Sequence, residues 1–223
     1  MFCLIKLPLV YMKLLFSFIF LFISFESLAT KKVEEKYIVK TRGITIGNLD
    51  WQVELKKDTY TTSIDLKNKG PLSLVYKFRG YYEASGIIKN DILIPEKYIQ
   101  EWKTKNKQRN INLIFENKKV IDLTIQPEEK EFARINFLKL DGYSDPLTSF
   151  LNIFLNNFDS KTIDGRRVYV LSPNKNDNYT KVLIKNYVNI WADHKKNDLE
   201  YLEIFQNPNE NLPYKINIKF KGS

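Results

Sequence analysis

The stretch DPLTSFLNIFLNNF, residues 145–158, is the one segment of the chain that reads cleanly as a helix, and the segments on both sides of it alternate like strands. Asp145 suits an N-cap, where a side-chain oxygen takes up a backbone N–H left over by the first turn. Pro146 falls at the first helical position, where its missing N–H costs nothing. Leu147, Phe150, Leu151, Phe154, Leu155 and Phe158 then recur at spacings of three and four, an apolar stripe along one side of a helix. Burying six such side chains at roughly 1.5–3 kcal/mol each contributes on the order of 10 kcal/mol before chain entropy is counted. The opposite face, Thr148, Ser149, Asn152, Asn156 and Asn157, is polar but carries no charge. That is unusual for a helix facing water and points to cover by loops or a partner.

Ahead of the helix the chain reads as a meander. A first strand over residues 37–46 ends at Gly47-Asn48; Trp51, Val53 and Leu55 alternate with Gln52 and Glu54; the pattern resumes through Thr62, Ile64 and Leu66. Asn68-Lys69-Gly70-Pro71 breaks it with turn residues. Residues 72–88 fit a short helical turn followed by a strand over about 81–88. Strands over 98–105, 110–115 and 119–126 follow, joined by turns at Asn106-Lys107 and Asn117-Lys118. Pro127 with Glu128, Glu129 and Glu131 marks a loop of solvated charge. After the helix, Asp164-Gly165 makes a tight turn into a strand over 166–171, with further strands over 181–191, 199–205 and 214–220. About ten strands and one helix predict a mainly β (α+β) fold: a strongly curved antiparallel sheet or half-barrel, closed by the main helix near 145–158. The apolar face of each element needs the other to bury against.

The first residues carry a different signal. LLFSFIFLFISF, residues 14–25, is an unbroken apolar run preceded by Lys6 and Lys13 and followed by Ser27-Leu28-Ala29. This is the pattern of a secretory signal peptide with a small-residue cleavage site. A membrane-spanning helix needs about 20 apolar residues, and Glu26 closes the run first. The expected organisation is therefore a signal peptide over 1–29, with Met1 or Met12 as the start, and a single domain over 30–223 with no membrane span after cleavage. No cysteine stands at the cleavage site, so a lipid anchor is not expected.

The only cysteine, Cys3, lies inside that leader. The exported part then has no disulfide, thiol nucleophile or thiolate metal site, which fits a bacterial periplasm. The formal charge of +9 becomes +8 when Lys6, Lys13 and Glu26 leave together. Excess lysine on an exported chain attracts anionic envelope surfaces, or simply keeps a strand-rich protein soluble and its edges unpaired. The destination argues against nucleic acid.

Catalytic chemistry finds little footing. His194, the only histidine, sits in the polar turn ADHKKND, and a Ser-His-Asp arrangement or an ordinary zinc site would need it or a second one. There is no glycine-rich phosphate loop. Glu128, Glu129 and Glu131 have no second acidic element placed against them by any pattern. Asn178-Tyr179-Thr180 is formally a glycosylation acceptor, irrelevant in a bacterial host. No catalytic residue, metal or cofactor is expected. Arg166 and Arg167 fit an anion contact, or alternate on the two faces of a strand with one salt-paired. Lys103, Lys105 and Lys107 share strand parity beside Tyr98 and Trp102, a basic stripe that is either the wet face of a strand or a headgroup contact. Trp51, Trp102 and Trp191 occupy apolar strand positions and either pack the core or line a ligand cavity.

Several segments in order resemble a bacterial family catalogued as domain of unknown function 3108. They are Gly43 to Gly47, LSLVYKFRG (72–80), ILIPEKYIQEW (92–102), DPLTSFL (145–151), IDGRRVYVL (163–171) and LPYKINIKF (212–220). The most specific part is DPL, an apolar helix, then DGRR. The resemblance implies an exported protein with a curved antiparallel half-barrel similar to the lipoprotein carriers of the periplasm. It supplies no catalytic residues, and the chain departs from some relatives in lacking cysteine after the leader.

Together these readings predict a periplasmic, non-enzymatic binding or carrier protein for a lipid, acyl chain, lipoprotein segment or other hydrophobic ligand. Trp51, Trp102, Leu147, Phe150, Leu151, Phe154 and Trp191 would line its cavity. The alternative is an envelope structural or interaction protein without a small-molecule ligand; a hydrolase comes last.

Overall fold

Three two-residue turns set the pattern of the first half of the chain. Arg42-Gly43, Asn90-Asp91 and Asn117-Lys118 each place both residues at positive φ, the type I′ geometry whose twist suits a tight antiparallel hairpin. They join β1 (Lys31–Thr41) to β2 (Ile44–Leu55), β4 (Phe78–Lys89) to β5 (Ile92–Thr104), and β6 (Gln108–Glu116) to β7 (Lys119–Gln126). With β3 (Thr59–Asn68) these strands form a seven-stranded meander in chain order, every neighbouring pair antiparallel. The computed structural model describes residues 30–70, 73, 77–191, 199–207, 210 and 212–221. Residues 1–29, expected to be a signal peptide, residues 72 and 74–76 of the stretch expected to begin with a helical turn, and His194 lie outside them.

Pro95 stands inside β5, where it gives the ladder no N–H. The register slips at that point: Ser85 faces Lys97 but Gly86 faces Pro95, leaving Glu96 as the extra residue of a bulge. A Cβ on Gly86 would lie 2.0 Å from the Ile94 carbonyl oxygen, so this close approach of two strands requires glycine.

The second sheet has six strands in the order β13-β12-β11-β10-β9-β8. They are β8 (Tyr143–Ser144), β9 (Ser160–Ile163), β10 (Arg167–Lys175), β11 (Thr180–Asn189), β12 (Leu199–Phe205) and β13 (Lys215–Phe220). All pairs are antiparallel except β8 with β9. Parallel neighbours need a crossover, and the helix α1 (Pro146–Asn156) supplies it. The fold is thus mainly β and antiparallel with one helix, but the strands form two sheets where the sequence predicted one. The separation arises after β7. The chain touches that edge strand through an isolated Lys119–Asp141 bridge without pairing along it. Before that bridge it is anchored beside the second sheet, where Arg134 N–H donates to the carbonyl of Ile190, just past the end of β11, at 2.7 Å.

α1 lies between the sheets and joins three clusters of buried side chains. Leu147 packs with Ala84, Tyr98 and Ile111 of the first sheet and Ile163 and Val168 of the second. Leu151 packs with Trp51, Val53, Tyr60 and Leu93; Ile153 packs with Leu171, Val182 and Leu202. The expectation of one buried stripe is corrected by this placement. Leu155 and Phe158 are 50% and 36% exposed, whereas Thr148, Ser149 and Asn152 on the polar side are at most 2% exposed. A helix held between two walls is covered on both faces, and its polar face is met by hydroxyls and backbone instead of water. It also ends earlier than predicted, because Asn157 takes the left-handed conformation (φ 52°) at the C-cap.

Candidate functional site

The residues expected to line a cavity divide among several places. Trp51 is 3% exposed, donates its indole N–H to Thr62 Oγ1 at 2.9 Å and packs against Phe154 with ring centroids 5.7 Å apart. Leu151 shares that cluster. Leu147 and the half-buried Trp191 belong to the next one, where the Trp191 indole donates to the Gly165 carbonyl at 3.2 Å and meets Phe137. Phe150 is half-buried beside Phe154. Trp102 stands apart, against Phe78 at 5.8 Å. Trp51, Leu147 and Leu151 therefore act in packing, while Phe154 and Trp102 border clefts. The cleft at Phe154, about 320 Å³ at the end of α1, is walled largely by amides such as Asn157, Asn176, Asn178 and Gln206, a poor match to an apolar ligand.

Arg166 and Arg167 are both engaged by carboxylates. Glu129, expected in a solvated loop, has a side chain only 9% exposed and lies 3.8 Å from both Arg166 Nε and an Arg109 guanidinium nitrogen. It connects the first sheet to the β9–β10 turn. Arg167 lies 3.8 Å from Asp164, whose other oxygen accepts the backbone N–H groups of Arg166 and Arg167 at 2.9 and 2.7 Å and fixes the expected turn.

The arrangement with the clearest chemical bias lies at the opposite end of the first sheet, where β3 ends, β4 begins and β5 ends. Strand alternation and register determine what gathers there. Leu66, Gly80 and Trp102 face one another across three neighbouring strands, and the next row, Lys67, Arg79 and Lys103, projects to the other side. Directly opposed side chains on neighbouring strands sit about 4.5–5.5 Å apart at Cβ, so three cations stand in one row. Asp65 restrains two of them: it is 2.8 Å from Lys67 Nζ and 3.0 Å from an Arg79 nitrogen. Partial burial pushes the Asp65 carboxyl up, but the hydrogen bonds from Lys67 and Arg79 outweigh it and hold the carboxyl below its usual range.

Two adjoining hollows occupy this rim. One, of about 550 Å³, is walled by Lys67, Lys77, Arg79, Lys103 and Lys105 together with Phe78 and Asn68. The other, of about 200 Å³, is walled by Val39, Ile46, Leu66 and Phe78 with Gly47 and shares Lys67, Asn68 and Phe78 with the first. The Asn68 amide oxygen accepts the Phe78 N–H at 2.9 Å, tying β3 to β4 across the connection. Lys69 N–H donates to the Ile46 carbonyl at 2.9 Å and fixes that connection against β2. At Gly47 the Lys67 carbonyl approaches so closely that a Cβ would lie 2.7 Å from it. The result is an apolar pocket beside a cationic rim. Lys103 and Lys105 belong to the basic stripe read from the sequence. Lys77 and the pocket wall were missed, since they come together only through strand register.

Among the described residues no group of acidic, histidine or cysteine side chains is placed to hold a metal ion, and no helix is long and apolar enough to cross a membrane. Comparison with known proteins finds a match to the family described as protein of unknown function (DUF3108) over residues 36–155, which includes the whole of this rim. No curated protein and no solved structure matches the chain.

Proposed function

Because the chain belongs to the DUF3108 family, whose description names no activity, we propose from the rim itself that it is an exported, non-enzymatic periplasmic protein that binds or carries a lipid or another hydrophobic ligand. The observation that carries this reading is the pocket of Val39, Ile46, Leu66 and Phe78 opening beside the lysines. Covering apolar surface of this kind gains roughly 25 cal/mol per Å², and an acyl chain does so without asking the protein for any covalent chemistry. In this reading the signal peptide over 1–29 delivers the chain to the periplasm. The first sheet bends as a half-barrel about α1, and the end of its inner face that α1 leaves uncovered receives the ligand.

Displacement of an environment-sensitive fluorescent fatty acid from the purified protein tests the reading. One probe is expected to bind per chain, and Leu66→Glu, which sets a charge in the pocket wall, is expected to abolish its binding. A probe that never binds, or binds Leu66→Glu equally well, overturns the proposal. Fractionation of cells carrying the full chain tests export separately.

A second reading, an envelope interaction protein, is favoured by one observation. Among the described residues β13 pairs only with β12, at the edge of its sheet, and leaves Tyr214, Ile218 and Phe220 56%, 54% and 46% exposed nearby. An edge strand with apolar side chains is ready to add a partner strand. Crosslinking from positions 216–220 in cells that recovers only self-contacts excludes it.

A further inference from the structure

Resting on the reading that the rim takes a hydrophobic ligand, we infer that this ligand is an anionic amphiphile, its tail against Val39, Leu66 and Phe78 and its phosphate or carboxylate headgroup held by Lys77, Lys103 and Lys105. Among the described residues five cations wall the larger hollow, and Asp65 pairs with two of them, Lys67 and Arg79. The other carboxylate of this region, Glu101, stands in the next cross-strand row, opposite Tyr81, and borders a neighbouring hollow with Arg79 and Lys103. The larger hollow therefore keeps a surplus of positive charge, and it meets the apolar pocket at Lys67, Asn68 and Phe78, where the strands end. Like charges held this close repel one another, and an anion relieves that repulsion.

The rest of the lining narrows the choice of headgroup. The neutral polar groups of the larger hollow, Asn68, Ser73 and Thr104, are outnumbered by its cations, and the Asn68 amide oxygen already accepts the Phe78 N–H, so the lining favours an anion over the hydroxyls of a sugar. A quaternary ammonium headgroup would meet charges of its own sign. Lysine ammonium groups are mobile point charges suited to phosphate or carboxylate oxygens. The exposed positions of Lys77, Lys103 and Lys105 leave them able to close over a headgroup after the tail has entered.

Titration calorimetry with four amphiphiles sharing one tail tests this: decyl phosphate, decanoate, decyl maltoside and decyltrimethylammonium, each below its micelle-forming concentration, with inorganic phosphate as a fifth ligand. Decyl phosphate and decanoate are expected to bind on the order of tenfold or more tightly than the other two, with the advantage shrinking at high salt. The triple variant K77E/K103E/K105E changes only exposed side chains. It is expected to lose that preference while keeping its affinity for decyl maltoside. If all four amphiphiles bind equally, the charge inference fails and the hydrophobic-ligand reading stands; if none binds, that reading fails and takes the inference with it. Inorganic phosphate binding as tightly as decyl phosphate makes the rim a free-phosphate site and overturns the inference. So does binding confined to vesicles of anionic lipid, which would place recognition at a membrane surface.

Discussion

Asp145 is pulled in two directions. As N-cap of α1 it accepts the Thr148 N–H at 3.0 Å through Oδ1 and the Thr148 hydroxyl through Oδ2, and the Tyr60 hydroxyl on β3 shares the same Thr148 oxygen. Yet it is completely buried, and burial, working against those hydrogen bonds, pushes its carboxyl up to about 6. The folded protein therefore holds the Asp145 proton more tightly than the unfolded chain, whose aspartate titrates at the ordinary 3.8. The stability this group contributes is fully present below the unfolded value and is lost as pH rises through the folded one. Between pH 7.5 and 5 the wild type is expected to gain roughly 1–2 kcal/mol relative to Asp145→Asn, which keeps the cap but cannot titrate. Urea unfolding of both proteins across that window checks it, and parallel pH profiles refute it. The cap was legible in the sequence because Asp before Pro at a helix start is a local signal. Its burial was not, since that depends on two sheets distant in sequence.

At the scale of the element, the helix shows what periodicity can and cannot report. Spacings of three and four found a helix, and the cap and Pro146 found its start. The same spacing assigned the wrong ends to the buried face. Asn152 explains why: its amide donates to the Leu93 carbonyl at 2.8 Å and accepts the Leu93 N–H at 2.9 Å, satisfying β5 backbone where that strand runs past the end of its pairing with β6. Ser149 Oγ likewise accepts the hydroxyls of Ser160 and Thr162 at 2.9 Å each. A polar helix face without charge is here a docking face for strand backbone and hydroxyls, where its composition pointed to cover by loops or a partner. Asn152→Leu leaves two buried backbone groups unpaired and is expected to cost roughly 2–5 kcal/mol. Leu155→Ala, on the nominally apolar stripe but half exposed, is expected to cost no more than about 1 kcal/mol. Chemical denaturation of the two variants compares them, and the reverse order would refute the two-sided burial. The hairpins were partly legible by the same logic. Asn117-Lys118 announces its turn in the sequence, whereas Asn90-Asp91 falls between the strands expected over 81–88 and 98–105, both of which the structure extends toward it.

For the whole molecule, strand alternation established a mainly β, antiparallel fold, but it carries no information on which strands share a sheet. The division into two sheets rests on the 127–142 connection, which leaves β7 without pairing along it and crosses to the other side of α1. The candidate rim has the same origin: Lys103 and Lys105 were visible as a stripe, but only register sets them beside Lys67 and Arg79. The helix then makes the two sheets interdependent, since neither can bury its inner face alone. Leu147 packs in a cluster with residues of both, and the family match, running from residue 36 to 155, covers the first sheet apart from the start of β1, and nearly all of α1, but none of β9 to β13. If the sheets form one cooperative unit, the slowest-exchanging backbone amides of β3 and of β11 and β12 open with the same free energy. Leu147→Ala should lower both by the same amount, roughly 2–5 kcal/mol for a buried leucine. Hydrogen exchange followed by mass spectrometry in low denaturant reads the two sets of strands in one experiment. A variant that loosens β3 while leaving β11 and β12 unchanged would show that α1 belongs to the first sheet alone.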